Sequence, residues 1–207
     1  MRKKVLVRGP VLTRSGYGEH VRFVLRALQT VEDKVDLYVV PTNWGATGWT
    51  IDTDDEKKWL NFLIHKTSAC LQQGKNNFDA SIQVSIPNEW EKLAPINIGV
   101  TAGIETTKVA PVWLEKGNIM DHIIVPSKHS EQVYKKTSYD VINNQTQERI
   151  SGFKCIKPIS TVSYPVKRFD NIDNLNLELE TEFNFLSVAQ WGPRKDMESL
   201  ISWFVEE

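Results

Sequence analysis

Lys4-Val-Leu-Val-Arg-Gly-Pro-Val-Leu-Thr-Arg-Ser-Gly-Tyr-Gly-Glu-His-Val-Arg-Phe-Val-Leu-Arg-Ala-Leu-Gln29 changes its period partway along. Residues 4–8 are a short apolar run cut off by Gly9-Pro10, the pattern of a buried strand. Residues 17–29 instead carry Val21, Val24, Leu25 and Leu28 at helical spacing. Residues 35–40 (VDLYVV) are a second apolar run, stopped by Pro41. Strand, glycine-bearing loop, helix and strand together predict a βα unit within a parallel sheet.

The alternation continues outward from that unit. Residues 42–51 are a loop rich in Gly and Trp. Thr53-Asp-Asp-Glu56 predicts a capping box, with Thr53 accepting from the Glu56 amide. The helix behind it presents Trp59, Leu60, Leu63 and Ile64. Residues 78–86 alternate and end at Pro87, a third strand, and residues 96–102 (INIGVTA) are a fourth. A helix follows around 112–116, then a fifth strand over 122–126 (HIIVP), with Ser127 capping a helix over 128–136. Residues 152–162 hold one more strand. The fold class is therefore α/β, a mostly parallel sheet flanked by helices. Such sheets bind ligands beyond the carboxyl ends of their strands, which singles out residues 9–18, 41–49, 87–90, 103–107 and 127–129.

The 207 residues are 41% hydrophobic and 25% charged, which suits a globular protein with a full core. Lys and Arg total 25 against 26 Asp and Glu, and the net charge of −1 excludes a broadly basic nucleic-acid binder. Charge is nonetheless uneven. Seven cations (Arg2, Lys3, Lys4, Arg8, Arg14, Arg22, Arg26) face only Glu19 in the first 30 residues. This is either a set of solvated faces or a positive edge for an anionic ligand or anionic lipid, so peripheral membrane contact is open. Cys70 and Cys155 are too far apart for CxxC spacing, which points to a reducing, cytoplasmic compartment. No stretch reaches the ~18 apolar residues of a membrane span, and Arg8 and Pro10 interrupt the first run, so neither a span nor a signal peptide is expected.

Residues 170–182 (DNIDNLNLELETE) hold acids and Asn but no Lys or Arg, the composition of a linker. A strand over 183–189 (FNFLSVA), a turn and a helix over 197–207 follow. The expected organisation is a first domain over 1–169, an acidic linker over 170–182 and one βα unit over 183–207. A lone βα unit cannot bury its own apolar face. Phe183, Phe185, Leu200, Trp203 and Phe204 therefore predict self-association through 183–207.

Four segments carry chemistry. In the first, residues 9–20, a glycine-rich turn between strand and helix lets backbone amides approach phosphate at a helix N-terminus. The alternative is a tight turn whose glycines need positive φ. Val21 stands where the third glycine of GxGxxG would fall, and no acid ends the second strand, which argues against a dinucleotide. In the second, residues 103–113, Glu105 follows the fourth strand and could hold sugar hydroxyls or take a proton, or simply cap a helix. In the third, residues 121–130, Ser127 opens a helix as cap or anion ligand. In the fourth, residues 192–197, Arg194 and Lys195 suit a diphosphate or are ordinary surface charge. His20, His65, His122 and His129 lack metal-ligand spacing.

Taken in order, these segments resemble the retaining glycosyltransferases of the two-Rossmann GT-B architecture, in the large family 4 group (glycosyl transferases group 1). The likeness rests on the strand, glycine loop and helix around residues 9–20. It rests further on Ile104-Glu-Thr-Thr-Lys-Val-Ala-Pro-Val-Trp113, on Asp121-His-Ile-Ile-Val-Pro-Ser127, and on Phe185-Leu-Ser-Val-Ala-Gln-Trp-Gly-Pro-Arg-Lys195. The resemblance implies a Rossmann-like acceptor-side domain followed by the first strand and helix of a donor-binding domain. It implies a nucleotide-sugar donor as substrate, no cofactor, no metal and retention of configuration. Gly16, Gly18, Arg194 and Lys195 would bind the donor diphosphate. Trp44, Trp49 and Ser127 would bind a saccharide or lipid-linked acceptor, and Glu105 would be catalytic. The residues after Lys195 lack the family's paired glutamates, so these 207 residues are expected to be inactive alone. A non-catalytic glycan- or partner-binding module of the same fold is the alternative.

Overall fold

The structure is a computed structural model describing residues 2–50, 54–142, 146–166, 177–189 and 191–206. The chain divides into two compact units, Met1–Val166 and Lys167–Glu207. The boundary expected at 169–170 and the first part of the acidic linker lie outside the described residues.

The first unit is an α/β, Rossmann-like domain. Its strands are β1 (Lys3–Gly9), β2 (Val35–Pro41), β3 (Ala80–Val84), β4 (Ile96–Val100), β5 (His122–Val125), β6 (Ser138–Ile142), β7 (Arg149–Lys154) and β8 (Ile159–Thr161). Six of them form one sheet in the order β2-β1-β3-β4-β5-β8, with every neighbouring pair parallel. The chain runs outward from β1 to β2, then crosses back over β1 to β3. The strand order thus reverses between β1 and β3, the topological switch point beside which doubly wound sheets hold ligands.

Helices α1 (Gly16–Gln29), α2 (Asp55–Gln72), α3 (Pro111–Asn118) and α4 (Lys128–Lys136) cover this sheet. Side chains alternate across it as the pleat requires. Val5 and Val7 of β1 pack with Val21 and Leu25 of α1 and Leu60 and Leu63 of α2, while Leu6 joins Tyr38 and Phe78 on the opposite face. Leu25 is fully buried, worth about 1.5–3 kcal/mol over exposure. A second cluster joins Ile123 and Val125 of β5 to Leu114, Val133 and Tyr134 of α3 and α4. Trp90, also fully buried there, lies flat on Gly99 of β4; a methyl group at that position would stand 2.7 Å from its ring atoms. Helix α2 also closes the β2 edge, because Thr67 Oγ1 accepts from the Val39 amide at 2.7 Å. An open edge invites pairing with another chain, and this bond blocks it.

Three expectations need correction. The α2 cap is Asp54, whose carboxylate accepts from the Lys57 amide at 2.8 Å, one residue after the expected capping box. Thr53 lies outside the described residues. Asp and Thr cap about equally well, so spacing alone cannot choose between neighbours. The single strand expected within 152–162 is two: β7 pairs antiparallel with β6, and β8 joins the main sheet beside β5. In the second unit, the strand expected over 183–189 is absent among the described residues. An apolar run is a strand only when a neighbouring edge takes its amides and carbonyls, and this segment pairs with none.

What the second unit does contain is a 3-10 turn, Pro193–Lys195, and helix α5 (Met197–Glu206). Phe185 packs edge-on against Phe183 and Phe204, with ring centroids 5.0 and 5.3 Å away. Trp203 and Phe204 stay largely exposed. No helix of the described residues is long and apolar enough to cross a membrane.

Candidate functional site

The loop leaving β1 is built around close backbone approaches. Thr13, almost fully buried, donates from its hydroxyl to the Pro10 carbonyl at 2.9 Å and meets the Ser15 hydroxyl at 2.8 Å. Ser15 caps α1 by accepting from the Gly18 amide at 2.9 Å. Neither Gly16 nor Gly18 has positive φ, so the conformational reason for these glycines falls. Gly18 is needed for space instead. A methyl group there would press into the Thr13 carbonyl oxygen and stand 2.8 Å from its Oγ1 and 3.0 Å from the Pro10 oxygen. Gly16 meets nothing within 4 Å and is exposed at the helix start.

Arg22 holds the loop from inside. Its Nη1 donates to the Val11 carbonyl at 2.7 Å and the Thr13 carbonyl at 3.1 Å. Its Nε and Nη2 bind Glu19, which also binds Arg26, which in turn binds Glu56 on α2. Burial works to raise the Glu19 carboxyl, but bonds from Arg22 and Arg26 outweigh it and hold the group below the usual carboxylate range. The pattern could have revealed Arg22. It lies with Gly18, Val21 and Leu25 on the buried stripe of α1, where a charge must find partners.

The loop after β2 folds onto this frame. The Arg14 amide donates to Gly48 O at 2.7 Å and the Thr50 amide to Leu12 O at 2.8 Å, and Thr13 bridges Trp49 in antiparallel fashion. The result is a depression of about 320 Å³ lined by Thr13, Asn43, Trp44, Gly45, Thr47 and Trp49. No lining side chain is charged. Trp44 packs on Tyr17, with centroids 4.3 Å apart at 45°, while Trp49 is half-exposed.

Tyr17 ties the depression to the next strand ends. Its hydroxyl meets Thr101 Oγ1 at 2.9 Å and accepts from the Ala102 amide at 3.1 Å. Burial pushes its phenol above the usual value. One turn along α1, His20 packs edge-on against Tyr164, with centroids 4.8 Å apart. Burial lowers the His20 imidazole to about 4, so it is neutral at pH 7. Tyr17, His20, Thr101 and Tyr164 were not anticipated as site residues. Their contacts join residues 84 and more apart, and no local pattern announces them.

The remaining expected residues are distributed as follows. Glu105 is exposed beyond β4, and the neighbouring Ile104 amide donates to Ser130 Oγ at 3.1 Å, joining this loop to the start of α4. Ser127 caps α4, accepting from the Ser130 amide at 3.1 Å and sharing a 3.0 Å bond with its hydroxyl. Those bonds commit the hydroxyl to the helix. Ser127→Ala is expected to cost about 1 kcal/mol in urea unfolding. Arg194 and Lys195 belong to the second unit, where Lys195 is exposed and the Arg194 side chain lies outside the description.

The positive edge divides. Arg2, Lys3 and Lys4 sit at the amino end of β1, about 20 Å from its carboxyl end by strand rise. Arg2 pairs with Asp36, Lys3 with Asp79, and Arg8 with Glu91. These cations therefore form no single patch beside the depression.

Fold and site define a doubly wound α/β domain with a neutral, aromatic-walled depression beside its glycine loop. The chain matches no family model, no curated protein and no solved structure.

Proposed function

We propose that Met1–Val166 is the acceptor-side domain of a metal-independent, retaining glycosyltransferase of the GT-B kind, working in the cytoplasm on a nucleotide-sugar. The uncharged depression walled by Trp44 and Trp49, with Thr13, Asn43 and Thr47 supplying hydrogen bonds, carries this reading. Aromatic faces and neutral amide and hydroxyl groups suit a saccharide, which offers CH faces and hydroxyls together. A phosphate would call for cations, and this depression supplies none.

The donor diphosphate belongs instead at the start of α1, where the dipole and the exposed backbone at Gly16 favour an anion and Gly18, its amide taken by Ser15, shapes the turn. Arg194 and Lys195 would add charge to stabilise the leaving group as it departs. Glu105 would hold or deprotonate an acceptor hydroxyl. The second reading, a non-catalytic glycan-binding module, is favoured by one observation: every residue of the depression lies within the first unit.

Magnetisation transfer from the full chain to methyl glucoside, methyl galactoside and methyl mannoside tests saccharide binding. Trp44→Ala is expected to weaken that binding about tenfold, the worth of one stacking contact. Saccharide binding that survives Trp44→Ala and Trp49→Ala unchanged would move the acceptor elsewhere. Binding of UDP-glucose or GDP-mannose then separates the two readings, since the transferase domain takes a nucleotide as well as a saccharide and the binding module takes the saccharide alone.

A further inference from the structure

Tyr164 occupies an unusual place. The Val162 amide still pairs with Val125 O at 2.9 Å, beyond the last residue of β8, and the chain then turns across the carboxyl ends of the strands. There Tyr164 meets two groups from separate elements. Its ring lies edge-on against His20 of α1, and its phenol oxygen lies beside the Gly103 amide, just past β4. His20 is itself nine-tenths buried, and its Nδ1 has no hydrogen-bond partner among the described residues. A buried ring nitrogen without a partner costs free energy and calls for an explanation. Tyr164 remains 46% exposed, so little packing holds it in place.

We propose that Tyr164 is a self-ligand: in the free protein it fills the place of a sugar ring, which on binding displaces it and engages the Gly103 amide and the His20 imidazole. This inference rests on the saccharide reading and extends it from the Trp44 depression to the other end of the same row of strand ends. The chemistry matches group for group. A phenol presents one hydroxyl on a flat six-membered ring, much as a pyranose presents hydroxyls around a ring of similar size. A sugar hydroxyl both donates and accepts, so it satisfies Gly103 N–H and also His20 Nδ1 in either tautomer. Displacement lowers the apparent affinity by the fraction of molecules that are open.

Tyr164→Ala removes the self-ligand from an exposed segment and is expected to keep the fold. Mixed methyl glucoside, galactoside and mannoside serve as the probe. Their affinity, read by saturation transfer, is expected to rise about tenfold over wild type. The His20 ring nitrogens, read by ¹⁵N NMR on the same sample, are expected to shift on addition of glycoside. His20→Gln placed on the Tyr164→Ala background should erase the gain. Should that double variant unfold by circular dichroism, the His20 ring shifts in Tyr164→Ala alone decide.

Equal affinity in wild type and Tyr164→Ala, with His20 unmoved, overturns the self-ligand and leaves the saccharide reading in place. A gain that survives His20→Gln overturns the role of the imidazole. Absence of transfer to any glycoside in either protein ends both readings together.

Discussion

Arg22→Met is expected to lower the unfolding free energy of the first unit by about 3–5 kcal/mol. The methionine keeps most of the buried stem, so the loss isolates the guanidinium. Removing it strips the Val11 and Thr13 carbonyls of their donor inside a site where both residues are essentially buried. Each unsatisfied buried acceptor costs about 1–3 kcal/mol. Glu19 contributes less to the loss, because it is partly exposed and keeps Arg26. Arg22→Lys should recover only part, since an ammonium cannot reproduce the planar fork that reaches two carbonyls and a carboxylate at once. Urea unfolding followed by far-UV circular dichroism measures both. A loss below about 1 kcal/mol in Arg22→Met would show that water replaces the guanidinium freely, and that the loop is not held from inside.

The consequence extends to the depression. Arg22 turns the Thr13 carbonyl inward, and the next amide, that of Arg14, faces Gly48 O and draws in the loop carrying Trp44 and Trp49. The network through Glu19, Arg26 and Glu56 anchors the same loop from its far side, at the start of α2. Saccharide binding in Arg22→Met should therefore weaken more than stability alone explains at temperatures where the protein remains folded.

The strand and helix order was legible because the core imposes a period on the sequence. Val5 and Val7 against Leu6, and Gly18, Val21, Arg22 and Leu25 on α1, are patterns that burial itself writes. The hairpin of β6 and β7 was hidden because its residues are mostly exposed, with only Tyr139 and Phe153 packing inward. The segment 183–189 misled for the converse reason. Its apolar residues look like a strand, yet pairing depends on a partner edge that no local sequence encodes. At the site, Trp44 and Trp49 stood out as aromatics in a loop just past a strand, where α/β ligands bind. Tyr17 with Thr101, and His20 with Tyr164, are long-range pairs whose members look ordinary one at a time. Arg22 is different, because a charge within an apolar helical stripe was visible. It was counted as part of a basic N-terminus when its position called for buried partners.

Gly18→Ala and Gly16→Ala are expected to part company, although both glycines sit in one loop. In Gly18→Ala the added methyl meets the Thr13 carbonyl, Thr13 Oγ1 and the Pro10 carbonyl. None of these is the loose end of a flexible side chain. The Thr13 carbonyl is fixed by Arg22, and the Pro10 carbonyl by both the amide and the hydroxyl of Thr13. Overpacking against fixed backbone is expected to cost about 3 kcal/mol. Gly16→Ala adds a methyl into open space in the first turn of α1, where alanine is the better helix former, so stability should hold or rise by up to about 1 kcal/mol. Thermal and urea unfolding of the two variants checks this. Equal losses would mean that the loop geometry depends on both glycines. A neutral Gly18→Ala would mean that the Thr13 turn yields, against the tight frame drawn by Arg22. Ligand binding then sorts their roles. Gly16→Ala keeps the fold and therefore reports only on approach to the helix N-terminus. Weaker UDP binding in this stable variant would place the diphosphate at the start of α1, whereas unchanged binding would remove Gly16 from the donor site and leave Gly18 as a purely structural necessity.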